Sequence, residues 1–296
     1  MKNYDCIVIG SGPGGISSSI YLKRDGLNVC IFEGGVPGGA IVNTEVINNY
    51  PGFTSISGAD LAMNMLNQIT ELGIDMYYEN AHIKKEDGFY VVGEARSKYV
   101  IIATGTKVKT LGLDVEEKYF YRGISWCATC DGYLYKDKDV AVAGGGDSAL
   151  SSALTLARYA KCVYLVHRRS EFRAKESLVN EVKNTKNIKL VLNANIINLY
   201  GDKSLEGVTI RYKDTDKEEN IDVACLFEEI GRLPNSDVIE GLEKDRDGYI
   251  IVNEYFETNL DGIYAIGDVI KKDVRQIVTA VSDGAICATI ISKRVK

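Results

Sequence analysis

The chain has 296 residues and a mass of 32.5 kDa, more than the ~100–200 residues of one ordinary domain, so two domains, or one interrupted by another, are expected. Its 45% hydrophobic and 26% charged content excludes a disordered or collagen-like chain. A net charge of −6, with both signs well mixed, disfavours a nucleic-acid surface or an anionic-membrane surface. No run approaches the ~18 apolar residues of a membrane span, and the opening MKNYDCIVIG lacks the features of a secretory signal. No membrane association and a cytoplasmic location are therefore expected. The 29 glycines against four prolines suit tight turns better than flexible linkers.

Tyr4–Ile9 is an apolar, β-branched run of the kind a buried parallel strand shows. It runs into Gly10-Ser-Gly12-Pro-Gly14-Gly15, which satisfies G-x-G-x-x-G at positions 10, 12 and 15. A helix capped by Gly26 and a second strand, Asn28–Phe32, follow, ending at Glu33. These glycines allow a tight turn, close approach of a pyrophosphate and close helix–strand packing, while a carboxylate at the strand tip accepts from ribose hydroxyls. The motif alone is weak; in a strand–turn–helix–strand–acid setting it is strong.

The unit recurs. Strand Asp139–Ala143 leads into Gly144-Gly-Gly146-Asp147-Ser148-Ala149, then a helix over 148–160 and strand Cys162–Val166, then His167-Arg168-Arg169, with Arg173 four residues beyond. Gly10 to Glu33 and Gly144 to His167 both span 23 residues. A carboxylate at that tip repels a ribose 2′-phosphate, whereas guanidinium groups bind one with paired charge-assisted hydrogen bonds. The first site thus suits FAD or NAD and the second NADP(H); the plainer reading of Arg168, Arg169 and Arg173 is a solvated basic face. Strand Tyr99–Ala103 running into Thr104-Gly105, and Gly262–Ile266 running into Gly267-Asp268, are either ordinary buried strands with glycine turns or, at Asp268, a carboxylate for a cofactor hydroxyl chain.

Seven cysteines, an odd number without an export signal, argue against a structural disulfide framework. Cys6, Cys30, Cys162, Cys225 and Cys287 stand singly in apolar runs and are expected in the core. Cys127-Ala-Thr-Cys130 is the only close pair. Half a zinc site is a poor reading, since the chain has two histidines and no second Cys-x-x-Cys, so no metal is expected. A dithiol–disulfide couple is the reading preferred. Asp131 is either a proton-handling acid beside the sulfurs or an Asp-Gly turn residue.

Gly10–Gly15, TEVINNYPGF over Thr44–Phe53, Ala103-Thr104-Gly105, Cys-Ala-Thr-Cys-Asp-Gly, Gly144–Ala149, His-Arg-Arg-x-x-x-Arg, Gly267-Asp268 and Arg275-Gln276 occur in that order. The chain thereby resembles, over essentially its whole length, the low-molecular-weight thioredoxin reductases of bacteria. The resemblance implies an α/β fold of two Rossmann-like, three-layer domains. An FAD domain of residues 1–112 and 238–296 is interrupted by an NADPH domain of residues 113–237 carrying the cysteines. It adds Gly14, Gly34, Asn48, Ala103, Thr104, Gly105, Gly267, Asp268, Arg275 and Gln276 to the FAD contacts. Gly144, Gly146, Asp147, Ser148, Ala149, His167 and the three arginines fall to NADPH.

The resemblance further implies electron flow from NADPH through FAD and the Cys127–Cys130 disulfide to thioredoxin or a thioredoxin-like protein. Cys130 would face the flavin, Cys127 would attack the partner and Asp131 would handle the proton, in a homodimer whose inserted domain rotates about its connections near Leu111–Lys118 and Leu233–Ile239. Departures from the family pattern are the missing glutamine after Gly38-Gly39, Ser151-Ser152 in place of two glutamates, and Glu228-Glu229 where small or apolar residues are commoner. Two added acids near the nucleotide would weaken NADPH binding. These departures leave open the same chemistry fed by reduced ferredoxin, and a nucleotide-sensing module without turnover. Trp126, the sole tryptophan, is expected either on the partner-docking surface or packed against a neighbouring chain.

Overall fold

The computed structural model describes residues 1–295. The chain forms two compact units, Met1–Lys107 with the segment from Leu233 onward, and Val108–Arg232. The crossings fall five residues earlier than the expected 112/113 and 237/238.

Along the chain, the first unit opens with β1 (Cys6–Ile9), α1 (Pro13–Arg24), β2 (Val29–Phe32), α2 (Gly58–Glu71), β3 (Asp75–Tyr77) and β4 (Val100–Ile102). The second holds β5 (Ile124–Ser125), α3 (Ala128–Asp131), β6 (Asp139–Ala143), α4 (Asp147–Leu156), β7 (Cys162–His167), α5 (Glu176–Asn184), β8 (Ile188–Leu192) and β9 (Cys225–Glu228). The chain then returns to the first unit with β10 (Ile263–Ala265) and α6 (Ile277–Val295).

Each unit is built on a five-stranded parallel sheet, ordered β10-β4-β1-β2-β3 in the first and β5-β9-β6-β7-β8 in the second. In both, the strand before the glycine loop lies at the centre, with its immediate successor on one side and a much later strand on the other. That reversal opens a crevice at the carboxyl ends of β1 and β4, and of β6 and β9, where open α/β sheets take their ligands. A second, smaller sheet in each unit contains the antiparallel strands Lys84–Glu86, Phe89–Val92 and Ala95–Ser97, or Ala194–Tyr200, Gly207–Tyr212 and Glu218–Asp222. The fold is α/β with two Rossmann-like units.

The burial explains the absence of polar alternation in the central strands. Along β1, Cys6 and Val8 pack with Ile16, Leu61 and Ile291 of the helices, whereas Ile7 and Ile9 pack with Tyr90 and Val92 of the smaller sheet. Both faces are covered, so both need apolar side chains, each contributing roughly 1.5–3 kcal/mol when fully buried. The five single cysteines are all buried free thiols, in keeping with their apolar surroundings in the sequence. The α4 helix stops at Leu156, short of the expected residue 160, because the N–H groups of Arg158 and Tyr159 turn to the carbonyls three residues back, those of Thr155 and Leu156. Among the described residues no helix is long and apolar enough to cross a membrane.

Candidate active site

In the first unit three glycines do three different things. Gly10 has φ 101°, and a Cβ there would lie 2.5 Å from the Ala103 carbonyl oxygen, so the turn and the β1–β4 contact both demand glycine. Gly15 has the Gly10 carbonyl where a side chain would stand, and Gly14 meets the Ala280 carbonyl of α6 at 3.2 Å. Gly12 meets nothing within 4 Å, and its φ of −71° is open to any residue. It caps α1 without a side-chain hydrogen bond and is followed by Pro13, so the N–H groups of Gly14 and Gly15 take no bond from the cap. A backbone loop pressed from behind and bare in front is what a pyrophosphate needs.

Around that loop, Glu33 Oε2 accepts from both the N–H and the hydroxyl of Ser11, each at 2.7 Å, and Oε1 accepts from the Gly35 N–H at 2.7 Å. Gly34 follows on the exposed surface. Ala103-Thr104-Gly105 is clamped by Asn235: Thr104 donates its hydroxyl to the Asn235 carbonyl at 2.6 Å, and the Asn235 side chain donates to the Thr104 carbonyl at 2.9 Å. Gly267 donates its N–H to Asp283 at 3.0 Å, an acid also paired with Lys272. Arg275 stacks on Tyr249, 4.1 Å from the ring centre, and donates to the carbonyls of Asp268 and Ile270. Gln276 accepts from Asn49 at 3.2 Å, while Asn48 is exposed. Sequence reasoning passed over Ser11, Asn235 and Asp283. Their partners lie 16 to 131 residues away, with no motif to announce them.

The second loop repeats the pattern. Gly144 has φ 153° with the Glu229 carbonyl 2.5 Å from a Cβ position, and Gly146, like Gly12, meets nothing within 4 Å. Gly145 is needed for another reason, since a side chain there would collide with the His167 ring. His167 is buried, its Nε2 is 3.0 Å from the Glu171 carbonyl, and Phe172 stacks on it at 5.3 Å. Burial chiefly, with Arg169, Arg173 and Arg168 adding and the Glu171 contact opposing, pushes its pKa below the usual histidine value. The ring therefore stays neutral at neutral pH and supports the loop from beneath. The charge comes from Arg168, Arg169 and Arg173, all exposed on a segment tied to the loop by the Arg173 N–H to the Gly145 carbonyl at 2.8 Å. Asp147 accepts from the Lys175 N–H at 2.7 Å and pins the far end of the segment; Ser148 is exposed and Ala149 buried. Strand, loop and arginine segment thus share one edge of the unit.

In the same unit Cys127 and Cys130 form a disulfide with Cα atoms 5.3 Å apart, both residues half-buried. Cys127 caps the four-residue helix α3, its sulfur accepting the Cys130 N–H at 3.2 Å. Ser125 ties the surroundings together: its oxygen accepts the Cys127 N–H at 3.1 Å, and its hydroxyl donates to Asp131 Oδ2 at 2.6 Å. Asp131 is thus held by a residue preceding the cysteines as well as by its place after them. Beyond it in the chain Tyr133 and Leu134 are 67% and 53% exposed. Trp126 is half-buried. Its indole N–H is turned inward to the buried Glu228 carboxylate at 2.9 Å, with Phe120 and Tyr121 set edgewise on the ring.

The two departures at the acids also meet here. Ser152 donates its hydroxyl to Glu229 Oε1 at 2.5 Å, so a carboxylate from the end of the sheet reaches the face of α4 where the family places its glutamates. Glu228 does not bring the charge expected of it. Burial first, and the neighbouring Glu116 second, push its pKa up to about 9, so it is neutral at neutral pH.

Residues 4–284 match the family described as pyridine nucleotide-disulphide oxidoreductase. The thioredoxin reductase of Mycoplasma pneumoniae is 40% identical, the match covering 97% of this chain and 94% of that one. The crystal structure of the thioredoxin reductase from Streptococcus pyogenes superposes with a TM-score of 0.91 at 37% identity, over 98% of this chain and 97% of that one. A ferredoxin-flavin thioredoxin reductase from Clostridium acetobutylicum gives a TM-score of 0.50 at 30% identity, over 99% and 98%. With this sequence match along nearly its full length, the chain belongs to the thioredoxin reductases of the pyridine nucleotide-disulphide oxidoreductase family.

Proposed function

We propose that the protein reduces the disulfide of thioredoxin or a thioredoxin-like protein, with FAD held by the first unit and NADPH by the second. The observation that carries the NADPH assignment is the arginine segment fastened to the second glycine loop through Arg173 and Gly145. Three guanidinium groups at the tip of that strand suit a ribose 2′-phosphate and have no evident structural role. FAD fits the first loop, where Gly12 leaves room for a pyrophosphate and Glu33 Oε1, accepting one bond, retains a lone pair for a ribose hydroxyl. When bound, the two cofactors supply a two-electron reductant to the Cys127–Cys130 disulfide.

The rest is the work of this chain's residues. Cys127 attacks the partner, since the Cys130 N–H at its sulfur stabilises a thiolate. A mixed disulfide forms as one sulfur of the partner leaves, and Asp131, oriented by Ser125, delivers a proton to it. Cys130 then attacks the Cys127 sulfur, which restores the internal disulfide and releases the partner as a dithiol. Tyr133 and Leu134 offer the apolar contact such a partner needs beside the sulfurs. A homodimer in the cytoplasm is the setting we assign to the enzyme.

The test is anaerobic mixing of the purified flavoprotein with NADPH and, separately, NADH. Flavin bleaching by NADPH alone, followed by turnover with added thioredoxin, is the expected result. No bleaching by either nucleotide, with dithionite still reducing the flavin, overturns the donor assignment and turns the search to reduced ferredoxin.

A further inference from the structure

Glu228 and Glu116 are both buried to 2% exposure in the second unit, yet among the described residues no cation pairs with either. Glu116 has a clear structural role, because its two oxygens accept the N–H groups of Leu111, Gly112 and Leu113 at 2.6, 2.7 and 2.8 Å. These three peptide donors fix the orientation of its side chain. Glu228 is different. Its Oε2 accepts from the Trp126 indole at 2.9 Å, but as a carboxylate oxygen its buried Oε1 has no hydrogen-bond partner. Its neighbour is the Glu116 carboxyl group, which raises its pKa. Two acceptors facing each other repel; one proton between them makes a bond, with Glu228 donating through Oε1 and Glu116 accepting.

The pair sits where it bears on the cysteines. Strands β5 and β9 run in parallel register, Ile124 beside Leu226 and Ser125 beside Phe227, so Trp126 and Glu228 are the next residues beyond each strand's last pair. The indole is the side chain immediately before Cys127, wedged between Phe120 and Tyr121. Arg232 reaches the Trp126 carbonyl at 3.4 Å, not the carboxyl pair, and Glu229 turns to Ser152.

We propose that Glu228, acting through the Trp126 indole, is a positioning residue that sets Cys127 for attack on the partner's disulfide. The proposal rests on the disulfide-reductase reading above. It carries a pH consequence. Above about 9 the Glu228 proton is lost, two buried carboxylates face each other, and the Trp126 anchor loosens. The sign for stability follows the same way. An unfolded glutamate ionises near its ordinary value of 4.5 while native Glu228 holds its proton to about 9, so stability falls as pH rises through that window.

The chain's single tryptophan makes the test direct, because tryptophan emission comes from Trp126 alone. The oxidised holoenzyme, in which Cys127 and Cys130 do not titrate, is followed by fluorescence from neutral to alkaline pH. The expected result is an emission transition near 9 in the native protein, absent in Glu228→Gln, whose amide can accept from the indole and donate to Glu116. Over the same range kcat/KM for thioredoxin falls while NADPH-driven flavin bleaching does not. Glu228→Val lowers the thioredoxin kcat/KM by about ten-fold, and Glu228→Gln restores it to about two-fold of native. The thermal midpoint of Glu228→Gln lacks the native decline across the same pH window. An emission titration that persists unchanged in Glu228→Gln, or no transition at all in the native protein, overturns the proposal. Failure to reduce thioredoxin at any pH, with the emission transition intact, overturns instead the functional reading beneath it.

Discussion

In the first unit β2 ends at Glu33, a carboxylate bound by Ser11 and Gly35; in the second, β7 ends at His167, a neutral imidazole packed under Gly145, and the charge is carried past it on exposed arginines. The strands, loops and helices around these two tips correspond in kind: the same parallel order, the same 23-residue spacing, and the same bare middle glycine. Under the proposed assignment, the scaffold fixes where a dinucleotide lies, while one strand tip decides which dinucleotide it is. A second contrast follows. Among the described residues only the second unit carries a disulfide, and in the proposed mechanism the chemistry exported to a partner belongs to that unit, the one with the arginine segment.

Removing the disulfide tests that asymmetry hardest. Cys127→Ser and Cys130→Ser are each expected to lower thioredoxin turnover by on the order of a thousand-fold or more, while flavin bleaching by NADPH continues in both. Stopped-flow bleaching beside a coupled thioredoxin assay separates the two readouts. Residual turnover near the native rate in either variant would place the exported chemistry elsewhere. Next in size is the strand tip itself. Arg168→Ala with Arg169→Ala removes charge-assisted hydrogen bonds of about 1.5–3 kcal/mol each, so kcat/KM for NADPH falls by roughly two to four orders of magnitude and that for NADH hardly changes. Equal losses for both nucleotides would return those arginines to a solvated face.

The middle and first glycines of one loop sharpen the comparison by dissociating binding from folding. Gly10→Ala places a Cβ against the Ala103 carbonyl at a φ of 101°, and costs on the order of 2–4 kcal/mol, read as a lower thermal midpoint of the apoprotein. Gly12→Ala meets no protein atom within 4 Å, so the apoprotein melts as native and only flavin retention weakens, by about ten-fold. Should Gly12→Ala also lower the apoprotein midpoint, the open space over that residue serves the fold and not a ligand.

How much of this is legible in the sequence depends on the range of the interaction. The two strand–loop–helix units announce themselves because every requirement is local: glycines at fixed offsets, an apolar run before them, an acid or arginines after. Strand limits can be read to within two residues for the same reason, save that Tyr4 is buried outside β1 and His167 inside β7. The supports cannot be read. Ser125 bridging Cys127 and Asp131 is close in sequence, but a serine before a cysteine carries no signal of its own. Asn235 clamping Thr104, and Glu116 facing Glu228, pair residues more than a hundred positions apart. The bond from the Trp126 indole to a buried acid at the end of the adjacent strand likewise has no local signal. The departures at Ser151-Ser152 and Glu228-Glu229 are visible separately; that Ser152 and Glu229 compensate each other requires the sheet order that puts β9 beside β6 and α4.

That compensation yields the smallest effect and the finest test. Glu229 has its pKa raised by burial, with the Ser152 hydroxyl and Arg232 pulling the other way, so it ionises over a higher pH range than an exposed glutamate. Its carbonyl already borders Gly144, which places it beside the loop proposed to take the nucleotide's phosphates. A carboxylate there opposes NADPH only when charged, so the opposition grows with pH. Glu229→Gln is therefore expected to lower the KM for NADPH by roughly two- to three-fold at alkaline pH and by less as pH falls. Ser152→Ala withdraws the bond that favours the ionised form and moves the native divergence to still higher pH. The measurement is the KM for NADPH against pH in the three proteins. Parallel curves would mean that the carboxylate is turned from the nucleotide and that Ser152 and Glu229 hold α4 to the sheet; diverging curves would mean that one negative charge is retained beside a polyanion-binding loop that the arginines alone have to offset.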